Sequence, residues 1–308
     1  MSRAQRDTLN ANLRAAPHPP APTTIEEARA AFATLMASFP IPAGVRRTAT
    51  ELGGRPAVLV EPETAARPGT ILYFHGGSFS LGSPETAIAL TAHLVRRTGV
   101  RAISLDYRLA PEHPFPAAIE DGVAAYRALL DAGAAPESIV FAGDSAGGGL
   151  TVTTCLAARD AGLPMPAAIV AFSAMLDHTR SGASIHTKNG IDPFFTPDDF
   201  AQTGQRYLAG QDPDQPLLAP VLHADLTGLP PSLLQVGTNE LLLDDSVRFA
   251  QRAVEADVDV IVDVTADVPH VFPAFVGALD EAGRALDRAT LFVTQHLPTD
   301  RAEAPVAR

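Results

Sequence analysis

Cysteine and lysine each occur once in the 308-residue chain, as Cys155 and Lys188. A single thiol excludes an intramolecular disulfide framework and any cysteine-rich metal site. Lys188 lies between Thr187 and Asn189, so the Gly-Lys-Ser/Thr of a phosphate-binding loop is absent, and a Schiff-base mechanism would have this one amine to use. Basic residues run no longer than the pairs Arg46-Arg47 and Arg96-Arg97, and 23 Lys plus Arg against 35 Asp plus Glu leave a net charge of −12. An acidic chain without a basic patch is repelled by a phosphate backbone, which argues against a nucleic-acid partner. Apolar runs are also short. None approaches the ~18 residues of a membrane span, and residues 1–16 lack the apolar centre of a secretory signal. The expectation is a soluble, cytoplasmic protein with no membrane span.

Hydrophobic residues make up 46% of the chain and charged residues 19%, enough apolar material for one large domain or two small ones. Residues 1–45 are Ala-rich and helix-like, with a Pro-rich break over 17–22. Thr24 and Glu27 then form a capping-box pattern that opens a helix carrying Phe32, Leu35 and Phe39 at helical spacing. From residue 46 short β-branched runs alternate with amphipathic stretches, the pattern of repeated β/α units on a mostly parallel sheet. Strands are predicted over 57–61, 70–74, 102–107, 138–142, 168–172, 232–236 and 258–264. Helices are predicted over 85–97, 117–130, 147–161, 245–256 and 273–295. A polar, Pro-containing stretch, 178–215, interrupts the alternation and reads as an insertion at the sheet's carboxyl edge.

Gly143-Asp144-Ser145-Ala146-Gly147 is a G-x-S-x-G between an apolar run and a helix-compatible stretch. In that strand–turn–helix setting the serine sits on a sharp turn that lifts its Oγ clear of the backbone, and bulky neighbours would clash. The following helix aims its free N–H groups at a developing oxyanion. His75-Gly76-Gly77-Ser78 follows the strand 70–74, and its glycines let backbone N–H groups approach a carbonyl oxygen closely. Asp177, His178 and His186 are near each other in sequence, but no H-E-x-x-H or Cys-x-x-Cys accompanies them, so no metal is expected. Cys155 reads as core.

HGGS, then Tyr107-Arg108-Leu109-Ala110-Pro111-Glu112, then GDSAGG together resemble the hormone-sensitive-lipase-like family of bacterial esterases, over most of the chain from about residue 56. The family pattern is usually HGGG followed by an aromatic; here Ser78 replaces the last glycine and Phe79 keeps the aromatic. The resemblance implies an α/β-hydrolase fold with a helical cap. Residues 1–45 would be a cap segment, 46–308 the catalytic domain, and 178–215 a cap insertion. It also implies an oxyanion hole from the Gly77, Ser78 and Ala146 N–H groups, with Gly76 making the turn, and a bracing role for 107–112.

In the α/β-hydrolase order of Ser, acid, His, His270 is the base that the resemblance implies. It lies just beyond the apolar run 258–264, whereas His223 precedes the late strand and His296 ends the last helix. The acid should project from the loop after strand 232–236, where Glu240, Asp244 and Asp245 are the candidates. The family's usual Asp-Pro-Leu with a later acidic pair, laid on this chain, puts Glu240 at the catalytic position and leaves Asp244 or Asp245 to cap the next helix. The implied activity is hydrolysis of short to medium acyl esters, with lactones chemically equivalent and no cofactor. The implied partner is a small ester, with a homodimer left open. Amide hydrolysis by the same residues is the competing activity. A non-catalytic binding module on this fold would typically lack the histidine that this chain has at 270.

Overall fold

The structure, a computed structural model, describes residues 2–16 and 22–298. Residues 17–21 of the Pro-rich break lie outside the described residues. Eight strands form one sheet: β1 (Val45–Leu52), β2 (Arg55–Pro62), β3 (Arg67–Phe74), β4 (Val100–Leu105), β5 (Ile139–Asp144), β6 (Ala168–Phe172), β7 (Ser232–Asn239) and β8 (Val260–Pro269). Their order is β1-β2-β4-β3-β5-β6-β7-β8, antiparallel at β1/β2 and β2/β4 and parallel from β4 onward. The parallel strands therefore all end on one edge of the sheet.

The helices are α1 (Ser2–Ala15), α2 (Ile25–Met36), α3 (Ile88–Thr98), α4 (Ala117–Asp131), α5 (Ala146–Asp160), α6 (Ser184–Thr187), α7 (Pro197–Leu208), α8 (Pro220–His223), α9 (Leu243–Glu255) and α10 (Asp280–His296). They cover both faces of the sheet, which explains why the central strands read as continuous apolar runs. Along β3, Leu72 and Phe74 point to the core shared with α4, α5 and α9, while Ile71 and Tyr73 point to the core shared with α3 and α10.

All seven strands predicted from the sequence have a counterpart, and β1 is an addition. Its side chains are mostly exposed, including Arg46, Arg47 and Glu51, so it carries no apolar alternation. A hairpin makes it instead: Gly53 and Gly54 both take positive φ (59° and 76°), the backbone of a tight two-residue turn that other residues resist. Charges on an edge strand also discourage pairing with other chains. The last helix begins at Asp280 rather than 273, because Phe272–Ala274 is a separate 3₁₀ turn and Gly277 takes a φ of 92°.

The capping box of α2 forms as its sequence indicates, with Thr24 and Glu27 exchanging hydrogen bonds. Arg29 then ties α2 to the loops at the carboxyl edge: it donates to the Ser80 and Ala110 carbonyls and pairs with both oxygens of Glu112. The segment between β6 and β7 carries α6 and α7, and α7 also opens on a capping box, Thr196 with Asp199.

Candidate active site

Ser145 stands between β5 and α5 with φ 54° and ψ −119°. A non-glycine residue there stores about 1–3 kcal/mol of strain and needs surrounding bonds to hold it. Its N–H donates to the Phe172 carbonyl (2.8 Å), and its own carbonyl accepts from Gly149 (3.1 Å) and Met175 (3.0 Å). The flanking glycines are sterically required. A Cβ on Gly143 would lie 2.4 Å from the Gly147 carbonyl oxygen, and one on Gly147 would lie 2.0 Å from that of Phe74. The same crowding accounts for Gly149, where a Cβ would meet the Met175 carbonyl oxygen at 2.0 Å.

The turn after β3 approaches this elbow. His75 is fully buried, stacked on Tyr107 with ring centroids 4.1 Å apart, and its Nδ1 donates to the Gly76 carbonyl (2.8 Å). Burial pushes its pKa down to about 4, so it is a neutral structural residue. The Tyr107 hydroxyl donates to the His75 carbonyl (2.7 Å), and Arg108 pairs with Asp121, so the 107–112 stretch braces the turn. Gly76, grouped with the oxyanion loop from sequence, turns its N–H toward the Asp144 carboxylate. It therefore shapes the turn. Ser78 and Phe79 both take positive φ (52° and 57°), which is the conformational reason a glycine would suit position 78. Asp144 also accepts from the Tyr73 hydroxyl (2.7 Å), and burial lifts its pKa to about 6.

Glu240 follows β7 and His270 follows β8, both buried. The two side chains meet: His270 Nδ1 lies 2.8 Å from Glu240 Oε2. The other carboxylate oxygen accepts from Gly237 N–H (2.6 Å) and from the Ser173 hydroxyl (2.9 Å). His270 Nε2 is buried and has no hydrogen-bond partner among the described residues. Burial opposes the imidazolium. The hydrogen bond to Glu240 and the charges of Glu240, Asp192 and Asp144 outweigh it, leaving the pKa of His270 above its ordinary value. A carboxylate fixed on one ring nitrogen makes that nitrogen the N–H and leaves the other a free base.

Ser173 was not foreseen from sequence. It donates to Glu240 and accepts from the Val271 N–H (2.9 Å), joining the loops after β6, β7 and β8. Its one signal is its place directly after the apolar run of β6. The other acids need correction. Asp244 and Asp245 lie inside the first turn of α9, whose N-cap is Leu242 with no side-chain cap. Asp245 is buried and accepts from the Leu176 N–H (2.7 Å), while Asp244 accepts from the Ser184 N–H (2.9 Å). Both carboxylates anchor the chain beyond β6 rather than cap a helix. Asp177 is held by Thr179, Ser181 and Arg248, and no cluster of three metal-ligating side chains occurs among the described residues. Cys155 is buried, and burial raises its thiol.

A cavity of about 20 Å³ lies beside Ser78, walled by Met175, Ile185, Phe200 and Leu242 with His178 at its side. On the His270 side an aromatic chain runs from Phe39 through Phe275 and Phe194 to Phe195, whose ring meets the imidazole edge-on at 5.2 Å.

A family model described as alpha/beta hydrolase fold matches residues 71–274, a span that contains Ser145, Glu240 and His270. The chain belongs to that family, and within it to the bacterial hormone-sensitive-lipase branch. An acetyl-hydrolase of Streptomyces hygroscopicus is 44% identical over 73% of this chain and 75% of its own. An esterase of Acinetobacter venetianus is 37% identical over 73% of this chain and 74% of its own. Among solved structures, an esterase of the bacterial hormone-sensitive lipase family superposes with a TM-score of 0.89 at 38% identity, covering 96% of this chain and 99% of that one. The protein is a serine carboxylesterase. No helix among the described residues is long and apolar enough to cross a membrane.

Proposed function

We propose that the protein cleaves short to medium acyl esters through an acyl-enzyme formed on Ser145. Ser145 Oγ attacks the acyl carbonyl while His270 Nε2 takes its proton, and Glu240 holds the imidazole by its Nδ1–H. The Gly77, Ser78 and Ala146 N–H groups stabilise the oxyanion. His270 then returns the proton to the departing alkoxide. A water, deprotonated by the same nitrogen, attacks the acyl-serine and releases the acid. The observation that carries this reading is the buried Glu240–His270 pair with Nε2 left free, on the sheet edge where the strained Ser145 elbow also stands.

In the same proposal, residues 1–45 and 178–215 form a cap over this edge. The contacts of Arg29 with the Ser80 carbonyl and of Phe195 with His270 support it. The relative named acetyl-hydrolase points to a short acyl chain. Lactones present the same carbonyl and are substrates of the same chemistry. A panel of p-nitrophenyl esters from acetate to palmitate, with lactones and a p-nitroanilide beside it, tests the proposal. Turnover should be highest for acyl chains of roughly two to eight carbons, the size range of ligand-scale pockets. Faster cleavage of long-chain emulsions, or of the anilide, would overturn it.

A further inference from the structure

Asp192 lies in the segment between β6 and β7 and belongs to neither the serine elbow nor the Glu240–His270 pair. Its side chain is nonetheless buried and fully engaged. One oxygen accepts from the N–H groups of Phe194 (2.8 Å) and Phe195 (3.1 Å). The other accepts from the N–H of Leu241 (2.9 Å), the residue directly after Glu240. A single carboxylate therefore fixes two things at once: the backbone that carries the acid, and the aromatic ring that packs edge-on against His270.

We infer that Asp192 is a positioning residue for ester hydrolysis, a clamp that couples the inserted segment to the Glu240 turn and to the face of His270. The role rests on the assignment of Ser145, Glu240 and His270 made above. Without the clamp, Leu241 N–H loses its buried acceptor and the Glu240 turn is free to shift. Phe195, released at the same point, no longer closes the His270 edge.

The clamp also sets charge. The ionisable groups that face His270 are Glu240 after β7, Asp144 at the end of β5, and Asp192 from the insertion, all of which favour its protonated form. Asp192 in turn faces His270 and Glu240. Burial, with the Glu240 charge, holds its pKa above the ordinary value, and the charge on His270 with the Phe194 and Leu241 N–H groups offsets this only in part. Removing this carboxylate takes one negative charge away from His270 and lowers the imidazole pKa.

The test is the pH profile of kcat and kcat/KM for p-nitrophenyl acetate in the parent, Asp192→Asn and Asp192→Glu, with Ser145→Ala beside them and circular dichroism on each. Asp192→Asn should lose on the order of 10–100-fold in kcat, the scale set by small misplacements of catalytic groups. KM should change little, and the acid limb of kcat/KM should move to lower pH by on the order of half a unit, since that limb reports the base in the free enzyme. Asp192→Glu keeps the charge but displaces the carboxylate, so its kcat should fall while the acid limb stays in place. A folded Asp192→Asn with kcat within twofold of the parent and a superimposable profile would overturn the clamp. If Asp192→Asn does not fold, an Asp192→Glu variant with parental kcat overturns it equally. An active parent with an active Ser145→Ala counts against Ser145 instead, so the two failures are distinguishable.

Discussion

Replacing Glu240 by Gln changes one oxygen to an amide nitrogen, and the surrounding bonds dictate which one. Oε1 accepts from Gly237 N–H at 2.6 Å and from the Ser173 hydroxyl, and a backbone N–H cannot accept, so the glutamine must keep its carbonyl oxygen there. Its NH₂ then faces His270 Nδ1, where the carboxylate had been at 2.8 Å. An NH₂ needs an acceptor, so the imidazole adopts the tautomer with Nδ1 bare and the proton on Nε2. That places a proton on the nitrogen that, in the proposed mechanism, receives one from Ser145. The equivalent Asp→Asn change in another serine hydrolase lowers kcat by about 10⁴ through the same tautomer error, and a loss of that order is expected here. Stability should fall by only about 1–3 kcal/mol, the range for altering one buried charge-assisted bond. Steady-state hydrolysis of p-nitrophenyl acetate with a thermal melt reads both quantities. Asp244→Asn is the matched control: it touches the Ser184 N–H, so it should cost about 1 kcal/mol of stability and leave kcat within a few-fold. An Asp244→Asn enzyme that is inactive beside a near-normal Glu240→Gln would refute the assignment of the acid.

Gly147→Ala puts a Cβ 2.0 Å from the Phe74 carbonyl oxygen and 2.4 Å from that of His75; backbone on both sides cannot yield, so a loss above about 4 kcal/mol, seen as a collapsed melting temperature or insoluble protein, is expected. His75 and His178 have folded pKa values depressed to about 4 from 6.5, so each costs stability as pH falls through that interval, when the unfolded chain takes up a proton that the fold refuses. Burial raises Asp144 to about 6 and also raises Asp245, Asp192 and Asp106, which take up protons in the folded state on acidification and oppose the histidines. Replacing His178 by Phe removes one of the opposed protonations, so between pH 6.5 and 4 the variant's stability should fall less steeply, or rise more, than the parent's, by up to about 1.4 kcal/mol per pH unit. Urea midpoints of both proteins at pH 6 and pH 4 check this, and identical pH dependences would contradict it. His270, with its raised pKa, loses its contribution only as pH rises above 6.5.

What the sequence made legible was local. Gly143 is demanded by the Gly147 carbonyl four residues on, and Gly147 by the Phe74 and His75 carbonyls of the neighbouring strand and turn; the elbow shows because strand, turn and helix follow one another in five consecutive letters. The buried strands show as apolar runs because helices cover both faces of the sheet. β1 was invisible because a hairpin and its partner's backbone hold it, not an apolar face. Ser173 and Asp192 were invisible for a related reason: each acts through hydrogen bonds to residues 49 to 98 positions away, and only the completed sheet edge brings those together. Asp244 and Asp245 show the opposite error. An acidic pair at a helix start looks like a cap, yet the chain beyond β6 passes close enough to claim both carboxylates.

The central claim is that Ser145 is the nucleophile. A fluorophosphonate forms a stable phosphonyl ester with an activated serine, and peptide mass spectrometry locates it. One adduct is expected on the peptide containing Ser145 in the parent and none in Ser145→Ala, with loss of ester hydrolysis in step with labelling. Labelling at another serine, or labelling and hydrolysis that survive in Ser145→Ala, would contradict it.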